Sequence, residues 1–445
     1  MATSVLICAS SLDGHVMPML AAARELVAAG MAVQFLADEK YADAVAASGA
    51  VRVALPEEAQ TNEALLKEGT ATDGRRLSGL EQAIKSVRLS FVNQIPAQFG
   101  ALTSAIEAGR PDVVVTESTF LGAAVLALRP REQRPAILTC NVIPLTLFSK
   151  DTAPPGFGLA PMPGVAGRLR NLALNLVVRR LVFGGLQREI NEHAKALAGR
   201  PLNDFFLDTG RSAEAFVQFT VPSFEYPRSD APPNLVFLGP SGGPVHAARP
   251  LPDWWDDLDG NRPLVHVSQG TIANLDFDEL VKPTIDALAA EDVLVVVSGG
   301  GRTLDALGPL PDNVRTADFL DYTRLMPLVD VFVTNGGYGS MHAALACGVP
   351  IVVAGDTEDK VESSARVSWS GVGINLRTGT PTPDAIRTAV RKVLADPHYR
   401  ENAERVRHDI ADSPGAKGLA PIIERLRGSA APPARRSKPA EDQRR

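Results

Sequence analysis

The sequence predicts an α/β protein made of two parallel-sheet domains. Short apolar strands alternate with amphipathic helices in both halves of the 445-residue chain, which is the pattern of consecutive βαβ units. The strands are apolar almost throughout, as strands buried on both faces of a parallel sheet are. A segment rich in proline, glycine and charge indicates a linker at residues 241–262. We therefore expect an amino-terminal domain over 1–240, a carboxyl-terminal domain over 263–428 and a disordered polar tail over 429–445.

The composition indicates a soluble, cytoplasmic protein. A formal net charge of −6 with 22% charged residues offers no basic surface, so we expect no nucleic-acid partner. No run approaches the roughly 18 apolar residues of a spanning helix, and membrane contact is not expected. The start of the chain lacks the basic flank of a secretory signal. Cys8, Cys140 and Cys347 are scattered in apolar sequence and are predicted to be reduced core residues.

His15 lies where the first strand of the chain meets a helix. Residues 4–9 form an apolar strand, and apolar residues then recur at helical spacing over 16–27. This order places His15 at a helix N-terminus on the carboxyl edge of the sheet, where open α/β sheets bind ligands. The helix dipole disfavours a protonated imidazole there, so a neutral His15 can accept a proton. The alternative is that His15 only caps the helix.

Glu117 is predicted to reach the same edge of the sheet. It follows the strand at residues 112–116, and a carboxylate in this place can hold and polarise an imidazole. The alternative is a solvated acid in a loop. The other strands of this domain are predicted at residues 32–37, 137–143, 216–220 and 234–238.

A glycine-rich turn, NGGYGS at residues 335–340, is the main feature of the second domain. It follows a β-branched strand and precedes a short helix, so its free N–H groups and the helix dipole can hold an anion. An ordinary βα turn is the alternative. A second turn of small residues, 268–271, follows another strand of the same sheet. The strands of this domain are predicted at residues 264–268, 293–298, 314–317, 329–334 and 351–353.

Two further segments of the first domain bear on its ligands. Residues 144–167 are rich in proline and glycine and contain apolar side chains without a periodic pattern. Such a loop can form the wall of a pocket for an apolar ligand, or it can be a flexible surface loop. The helical pattern over 169–198 carries several arginines. A basic apolar face would suit a lipid acceptor, but a solvated helix face explains the pattern better.

Together these motifs resemble the UDP-glycosyltransferase family, which is the family-1 glycosyltransferases of the GT-B fold. The second domain most resembles the bacterial enzymes that glycosylate macrolides, flavonoids and other natural products. The resemblance extends from Val5 to about Leu426. It implies two Rossmann-like domains that face each other across a cleft. The matching residues, which occur in family order and at family spacing, are Gly14, His15, Val16 and Pro18, residues 268–271, Leu325, Pro327 and Asp330, residues 335–340, and Gly348, Val349 and Pro350.

The resemblance assigns roles to individual residues. His15 matches the general base, and Glu117 is the nearest match to the acid that orients it. Phe319 falls where an aromatic ring stacks on the nucleobase. The donor-binding positions that the resemblance implies are Ser268, Gly270, Thr271, Phe319, Asn335, Gly337, Gly339, Ser340, Asp359 and Lys360.

Four positions depart from the family pattern. Asn335 replaces the usual phosphate-binding histidine, and it can donate a hydrogen bond but offers no charge. Ala343 stands where an acid often holds the ribose. Lys360 replaces a glutamine, which suits a different hydroxyl pattern or a charged sugar. Glu117 is one methylene longer than the usual aspartate.

The resemblance implies an inverting, metal-independent glycosyltransferase. Its donor would be a nucleoside diphosphate sugar, either UDP-glucose or a dTDP-sugar, used as a co-substrate with no cofactor. Its acceptor would be a hydroxyl of a small, largely apolar natural product, as in antibiotic biosynthesis. Two alternatives on the same fold are a nucleotide-sugar epimerase, which would use carboxylates near the anomeric carbon, and a non-catalytic activator partner. The retention of His15 and of the glycine turn disfavours the activator.

Overall fold

The computed structural model describes most of the chain. Within the described residues it also describes the side chains, except those at 71–80 and 82–83. The predicted tail, part of the predicted linker and Thr271 lie outside the described residues. The described residues are 2–61, 71–72, 75–76, 79–242, 250–270, 276–357 and 359–428.

The first domain contains a seven-stranded sheet in the order β3-β2-β1-β6-β7-β8-β9. Every neighbouring pair in it is parallel, as the apolar strand pattern predicted. The edge strand β3 was not predicted, because its four residues are half exposed and carry an arginine. The strands are β1 (Ser4–Cys8), β2 (Ala32–Ala37), β3 (Val51–Ala54), β6 (Val113–Glu117), β7 (Ala136–Asn141), β8 (Ala215–Gln218) and β9 (Leu235–Phe237), and a separate hairpin pairs β4 (Ala71–Thr72) with β5 (Arg75–Arg76).

The second domain contains a six-stranded parallel sheet in the order β12-β11-β10-β13-β14-β15. The prediction missed β15, whose three residues begin with a glycine. Together the two sheets confirm the predicted α/β class with two Rossmann-like domains. The strands are β10 (Leu264–Ser268), β11 (Leu294–Ser298), β12 (Val314–Ala317), β13 (Val331–Thr334), β14 (Ile351–Val353) and β15 (Gly373–Asn375).

Helices cover both faces of each sheet, and two apolar cores lie on the two sides of each sheet. None of these described helices is long and apolar enough to cross a membrane. The helices are α1 (Asp13–Ala28), α2 (Ala42–Ala47), α3 (Gly79–Val87), α4 (Ile95–Gly109), α5 (Leu121–Leu126), α6 (Gly164–Val177), α7 (Gly184–Ala198), α8 (Val281–Leu288), α9 (Tyr322–Leu325), α10 (Tyr338–Leu345), α11 (Lys360–Ser370), α12 (Pro383–Ala395), α13 (Pro397–Ala411) and α14 (Leu419–Gly428).

The last helix, α14, belongs by its packing to the first domain. Leu419, Ile423 and Leu426 are buried in the same core as β1 and α1. Arg427 lies on the same side and donates to Thr3. The predicted boundary placed this helix in the second domain by its position in the sequence, whereas its apolar side chains pack against the first sheet.

Each sheet has one point at which the strand order reverses. In the first sheet it lies between β1 and β6, and in the second it lies between β10 and β13. Helices that follow these neighbouring strands leave on opposite faces, so a crevice opens at the carboxyl ends of the strands. His15 follows β1 and Glu117 ends β6, while the turns at residues 268–271 and 335–340 follow β10 and β13. The predicted site residues thus concentrate at the two reversal points.

Candidate active site

His15 and Glu117 are in contact at the reversal point of the first sheet. The Nδ1 atom of His15 lies 3.2 Å from Oε2 of Glu117. The carboxylate is fully buried at the end of β6, whereas the imidazole is slightly exposed in the first turn of α1. The ring of Phe91 packs beside the imidazole at a centroid distance of 5.7 Å. Nδ1 faces the carboxylate, so the two ring nitrogens of His15 have different surroundings.

Hydrogen-bond donors from the residues directly after β6 surround the Glu117 carboxylate. The hydroxyl of Thr119 donates to Oε2 at 2.6 Å, and the backbone N–H of Thr119 donates to Oε1 at 2.9 Å. Ser118 also donates to Oε1 at 2.9 Å. Burial by itself raises the pKa of Glu117, but the neighbouring His15 and the bonds from Thr119 outweigh it and lower this pKa below its usual value. Glu117 therefore stays ionised.

Thr119 is a site residue that the sequence analysis missed. Its hydroxyl oxygen lies 3.3 Å from Nδ1 of His15 and 2.9 Å from the hydroxyl of Ser10. It therefore touches both the imidazole and the carboxylate. The available signal was the local sequence Glu-Ser-Thr, because hydroxyl residues directly after an acid at a strand end can bond back to that acid.

The two turns of the second domain meet at the other reversal point. The Nδ2 atom of Asn335 donates to the backbone carbonyl of Gln269 at 2.6 Å, which ties the turn after β13 to the turn after β10. Ser268 is buried and accepts the N–H of Gly270 at 3.2 Å. Gly270 adopts a positive φ of 73°, a conformation that favours glycine. The next predicted residue, Thr271, is outside the described residues.

The glycine turn is fixed by its own backbone and by α11. Gly336 has a φ of 93°, and its carbonyl accepts the hydroxyl of Ser363 at 2.7 Å. The Ser340 hydroxyl donates to the carbonyl of Gly337 at 2.8 Å within the first turn of α10. A Cβ atom added at Gly339 would meet no atom within 4 Å. The N-terminus of α10 is therefore rigid and open on the side of Gly339, which is the arrangement that an anion needs.

The remaining predicted donor residues lie at the carboxyl edge of the same sheet. Phe319 follows β12 and is half-buried. Asp359 precedes α11, and its backbone carbonyl accepts the N–H of Ser363 at 3.0 Å. Lys360 opens α11 and is 7% exposed, with Nζ 3.5 Å from the hydroxyl of Thr357. Lys360 is thus largely buried, with its ammonium group near Thr357.

A buried charge network connects the domains beside this site, and the sequence analysis did not foresee it. Arg366 of α11 bonds to Glu225 of the first domain and to Glu362 one helical turn away. Oε1 of Glu362 accepts the backbone N–H groups of Gly156 and Gly158, each at 2.9 Å. The loop at residues 144–167, for which a pocket wall and a flexible surface loop were the two alternatives, is therefore attached to the second domain.

The start of the loop at residues 144–167 is also attached by a hydrogen bond. The N–H of Leu145 donates to Oε2 of Glu225 at 3.0 Å. Leu145, Leu147 and Phe148 are buried, whereas Phe157 and Met162 are exposed. These contacts make the segment an anchored loop.

Among the described residues no group of three or more histidine, cysteine, aspartate or glutamate side chains could hold a metal ion. Asp276 and Asp278, which form a DxD motif, have a local role instead. A side-chain oxygen of Asp276 accepts the N–H of Asp278 at 2.8 Å in the turn before α8.

Comparison with solved structures defines the fold of the protein. The chain superimposes on the glycosyltransferase of kitacinnamycin with a TM-score of 0.70 at 22% identity, covering 96% of this chain and 99% of that one. It superimposes on the calicheamicin glycosyltransferase CalG4 with a TM-score of 0.67 at 23% identity, covering 97% and 100%. At this level of identity the likeness shows the fold, which is GT-B.

Sequence relatives define the family. The chain is 38% identical over 431 residues to 4'-demethylrebeccamycin synthase of Lentzea aerocolonigenes, covering 96% of this chain and all of the relative. It is 37% identical over 354 residues to UDP-glycosyltransferase 2 of Phaeomoniella chlamydospora, covering 76% and 77%. Residues 282–426 match the family described as erythromycin biosynthesis protein CIII-like, C-terminal domain. The chain belongs to the family-1 glycosyltransferases and is a natural-product type of enzyme that uses sugar nucleotides.

Proposed function

We propose that the protein transfers a sugar, with inversion at the anomeric carbon, from a nucleoside diphosphate sugar to a hydroxyl of a small, largely apolar natural product. The observation that carries this proposal is the contact of 3.2 Å between His15 Nδ1 and the buried Glu117 carboxylate. It supplies a fixed imidazole at the reversal point of the first sheet, and the glycine turn lies at the reversal point of the second sheet. Neither residue requires a metal for this role.

The proposed reaction is a direct displacement. The acceptor oxygen attacks the anomeric carbon as Nε2 of His15 removes its proton, and the imidazolium that forms is stabilised by Glu117. The bond from the anomeric carbon to the diphosphate breaks, and its electron pair leaves with the diphosphate. Attack from the face opposite the leaving group converts an α-linked donor into a β-linked product for a D-sugar.

The second domain is proposed to stabilise the leaving diphosphate. Backbone N–H groups at Gly337, Gly339 and Ser340 and the positive end of α10 can hold the developing charge. Ser268 and Gly270 lie at the adjacent strand end, and Asn335 fixes the two turns together. Phe319 is proposed to stack on the nucleobase, and Asp359 and Lys360 to contact the sugar. Thr271 remains a proposed donor residue by its place in the motif.

The donor is best identified by thermal shift with UDP, dTDP and GDP and their sugars, because a bound ligand raises the melting temperature. One relative is named a UDP-glycosyltransferase, whereas one structural neighbour, SpnG, is complexed with thymidine diphosphate, so both nucleotides belong in the panel.

The stabilising donor is then incubated with and without phenolic and macrolide acceptors, in the presence and absence of EDTA. We expect transfer with inversion that needs an acceptor and is insensitive to EDTA. An epimerised sugar formed from the donor alone, or a product with retained configuration, would refute the proposal.

A further inference from the structure

The helix α6 and the turn after it carry an unusual concentration of exposed apolar side chains. Nine of the thirteen large apolar side chains that are exposed in the described parts of the chain lie between residues 157 and 181. Single exposed apolar residues are ordinary, but a contiguous group marks a surface that another body covers. We call the following row the α6 face: Val165 (75% exposed), Leu169 (62%), Leu172 (67%), Leu176 (50%) and Leu181 (78%).

The orientation of α6 is the reverse of that of an ordinary surface helix. Val165, Leu169, Leu172 and Leu176 recur every three or four positions and so share one side of the helix, and Leu181 lies in the helical segment that follows. The opposite side is held on the protein by polar contacts. Asn171 donates to the carbonyl of Lys150 at 3.1 Å, and Asn175 donates to the carbonyl of Ser149 at 2.8 Å. The arginines expected on a solvated face are exposed at Arg168, Arg179 and Arg180, but leucines share this outward side.

The segment that carries the α6 face is rich in positive charge. Residues 152–188 contain five arginines and no aspartate or glutamate, although the whole chain has a net charge of −6. Arg168 lies 3.4 Å from Asp151 and Arg179 lies 3.2 Å from Asp208, whereas Arg180 and Arg188 are exposed. A body that covers this surface must therefore accept apolar side chains, and negative charge on it would complement Arg180 and Arg188.

A second copy of the chain does not meet that requirement. In a two-fold symmetric pair the same patch faces itself. The exposed Arg180 and Arg188 of one copy would then approach those of the other. The neighbouring acids Asp151 and Asp208 are already paired with Arg168 and Arg179, so they do not offset this repulsion. An anionic lipid surface meets both conditions, because leucines sink into the acyl boundary while arginines remain among the headgroups.

We propose that the α6 face docks the protein on an anionic lipid surface as a peripheral contact. This inference goes beyond the proposed sugar transfer and does not depend on it. The helix would lie in the plane of the interface with its leucines towards the acyl chains. The described residues include no spanning helix, so the contact is reversible and driven by apolar burial together with charge.

Vesicle flotation with the full-length protein tests the proposal. We expect binding to vesicles that contain phosphatidylglycerol, weaker binding to pure phosphatidylcholine, and loss of binding at high salt. The variant Leu169→Gln/Leu172→Gln should weaken binding roughly tenfold or more, and Arg180→Glu should weaken it roughly tenfold. Glutamine and glutamate are good helix formers, so α6 should be retained.

Matched variants outside the first domain serve as controls. Leu328→Gln/Leu394→Gln removes two exposed leucines, and Arg262→Glu reverses one exposed charge; both should bind vesicles as the wild type does. All variants should keep the wild-type melting temperature and its increase with the donor nucleotide. Equal vesicle binding by wild type and the leucine variant would refute the proposal. So would a wild-type dimer in sedimentation velocity that the leucine variant loses while vesicle binding is absent.

Discussion

Arg366 of the second domain and Glu225 of the first form an ion pair in which neither side chain is exposed to solvent. The guanidinium donates to the two carboxylate oxygens from Nη2 at 2.6 Å and from Nε at 3.0 Å. The pair therefore has the two-point geometry that makes arginine–carboxylate contacts specific. Arg366 also reaches Glu362, which holds Gly156 and Gly158. One side chain thus connects the two domains and the anchored loop.

We expect Arg366→Met to reduce the free energy of unfolding by about 3–5 kcal/mol, because it leaves the buried Glu225 carboxylate without its two-point partner. Urea unfolding at neutral pH measures the change. The control is Arg391→Met, which removes a similar two-point contact between Arg391 and Glu291 at the surface and should leave the urea midpoint nearly unchanged. Equal midpoints for the two variants would contradict a stabilising role for the buried pair.

The same pair makes stability depend on pH. Burial alone raises the pKa of Glu225, but Arg366 and Arg228 outweigh it, so the pKa in the folded protein lies below the ordinary value of 4.5. The ionised Glu225 therefore stabilises the fold at pH values above 4.5, and this contribution is lost as the pH falls towards the pKa of the folded state. We expect the free energy of unfolding to decrease below about pH 4.5, and to decrease less steeply in Glu225→Gln. Urea unfolding over this pH range measures the effect. If the free energy of unfolding fell with the same slope in the wild type and in Glu225→Gln, the linkage would be disproved.

The sequence predicted the two reversal points because their signals are local. His15 and the glycine turn each lie between a recognisable strand and a recognisable helix, and β-branched strands such as Val331–Thr334 are unambiguous. Glu117 was predicted to reach His15 for the same reason, since adjacent strand ends share an edge. The contact at 3.2 Å agrees with that placement, while the catalytic role stays a prediction.

The network around Arg366 was not predictable in the same way. Glu225 and Arg366 are 141 residues apart in the chain, and neither belongs to a motif or to a periodic pattern. Only the packing of the two domains brings them together. The placement of α14 was missed for the same reason, because the sequence of an amphipathic helix does not show which sheet it packs against. Charged residues in apolar surroundings are the one available signal, and it does not identify their partners.

The role of His15 can be tested by replacing it. We expect His15→Ala to lower kcat by roughly 10²–10⁴-fold for an alcohol acceptor, because the proton acceptor is lost. Donor binding, measured as the increase in melting temperature with the nucleotide, should be unchanged. His408→Ala, at an exposed position on α13, is the control and should keep wild-type kcat. A kcat near the wild-type value in His15→Ala would remove the base from the mechanism.

Two substitutions separate the charge of Glu117 from its length. Glu117→Gln keeps the size but removes the negative charge that stabilises the imidazolium, so kcat should fall by roughly 10²-fold or more. Glu117→Asp keeps the charge and has the length common in the family, so it should retain much more activity than the glutamine variant. Steady-state kinetics with saturating donor measures both.

Thr119→Val provides a further comparison at this site. It removes the bond of 2.6 Å to the Glu117 carboxylate while leaving the charge in place. We expect an intermediate kcat and an unchanged donor response. If Glu117→Gln were as active as the wild type, an orienting role for the carboxylate would be untenable.

The donor site makes a sharper prediction, because two glycines of one turn differ in their surroundings. A Cβ atom at Gly336 would lie 3.0 Å from the Ser364 hydroxyl at a φ of 93°, whereas a Cβ atom at Gly339 meets nothing within 4 Å. Gly336→Ala should therefore destabilise the fold. Gly339→Leu should fold with unchanged or greater stability, since leucine is the better helix former.

Gly339→Leu should nonetheless lose its response to nucleotide. The added side chain occupies the space through which a diphosphate would approach the N–H groups at the start of α10, and we expect the donor dissociation constant to rise at least tenfold, roughly the loss of one charge-assisted hydrogen bond. Gly100→Leu is the matched control, because this helical glycine is also exposed and a Cβ atom there also meets nothing within 4 Å. Thermal shift with UDP and dTDP compares the three proteins. If the nucleotide raised the melting temperature of Gly339→Leu as much as that of the wild type, the diphosphate would bind elsewhere in the second domain. The leucine side chain would otherwise block its approach to the start of α10.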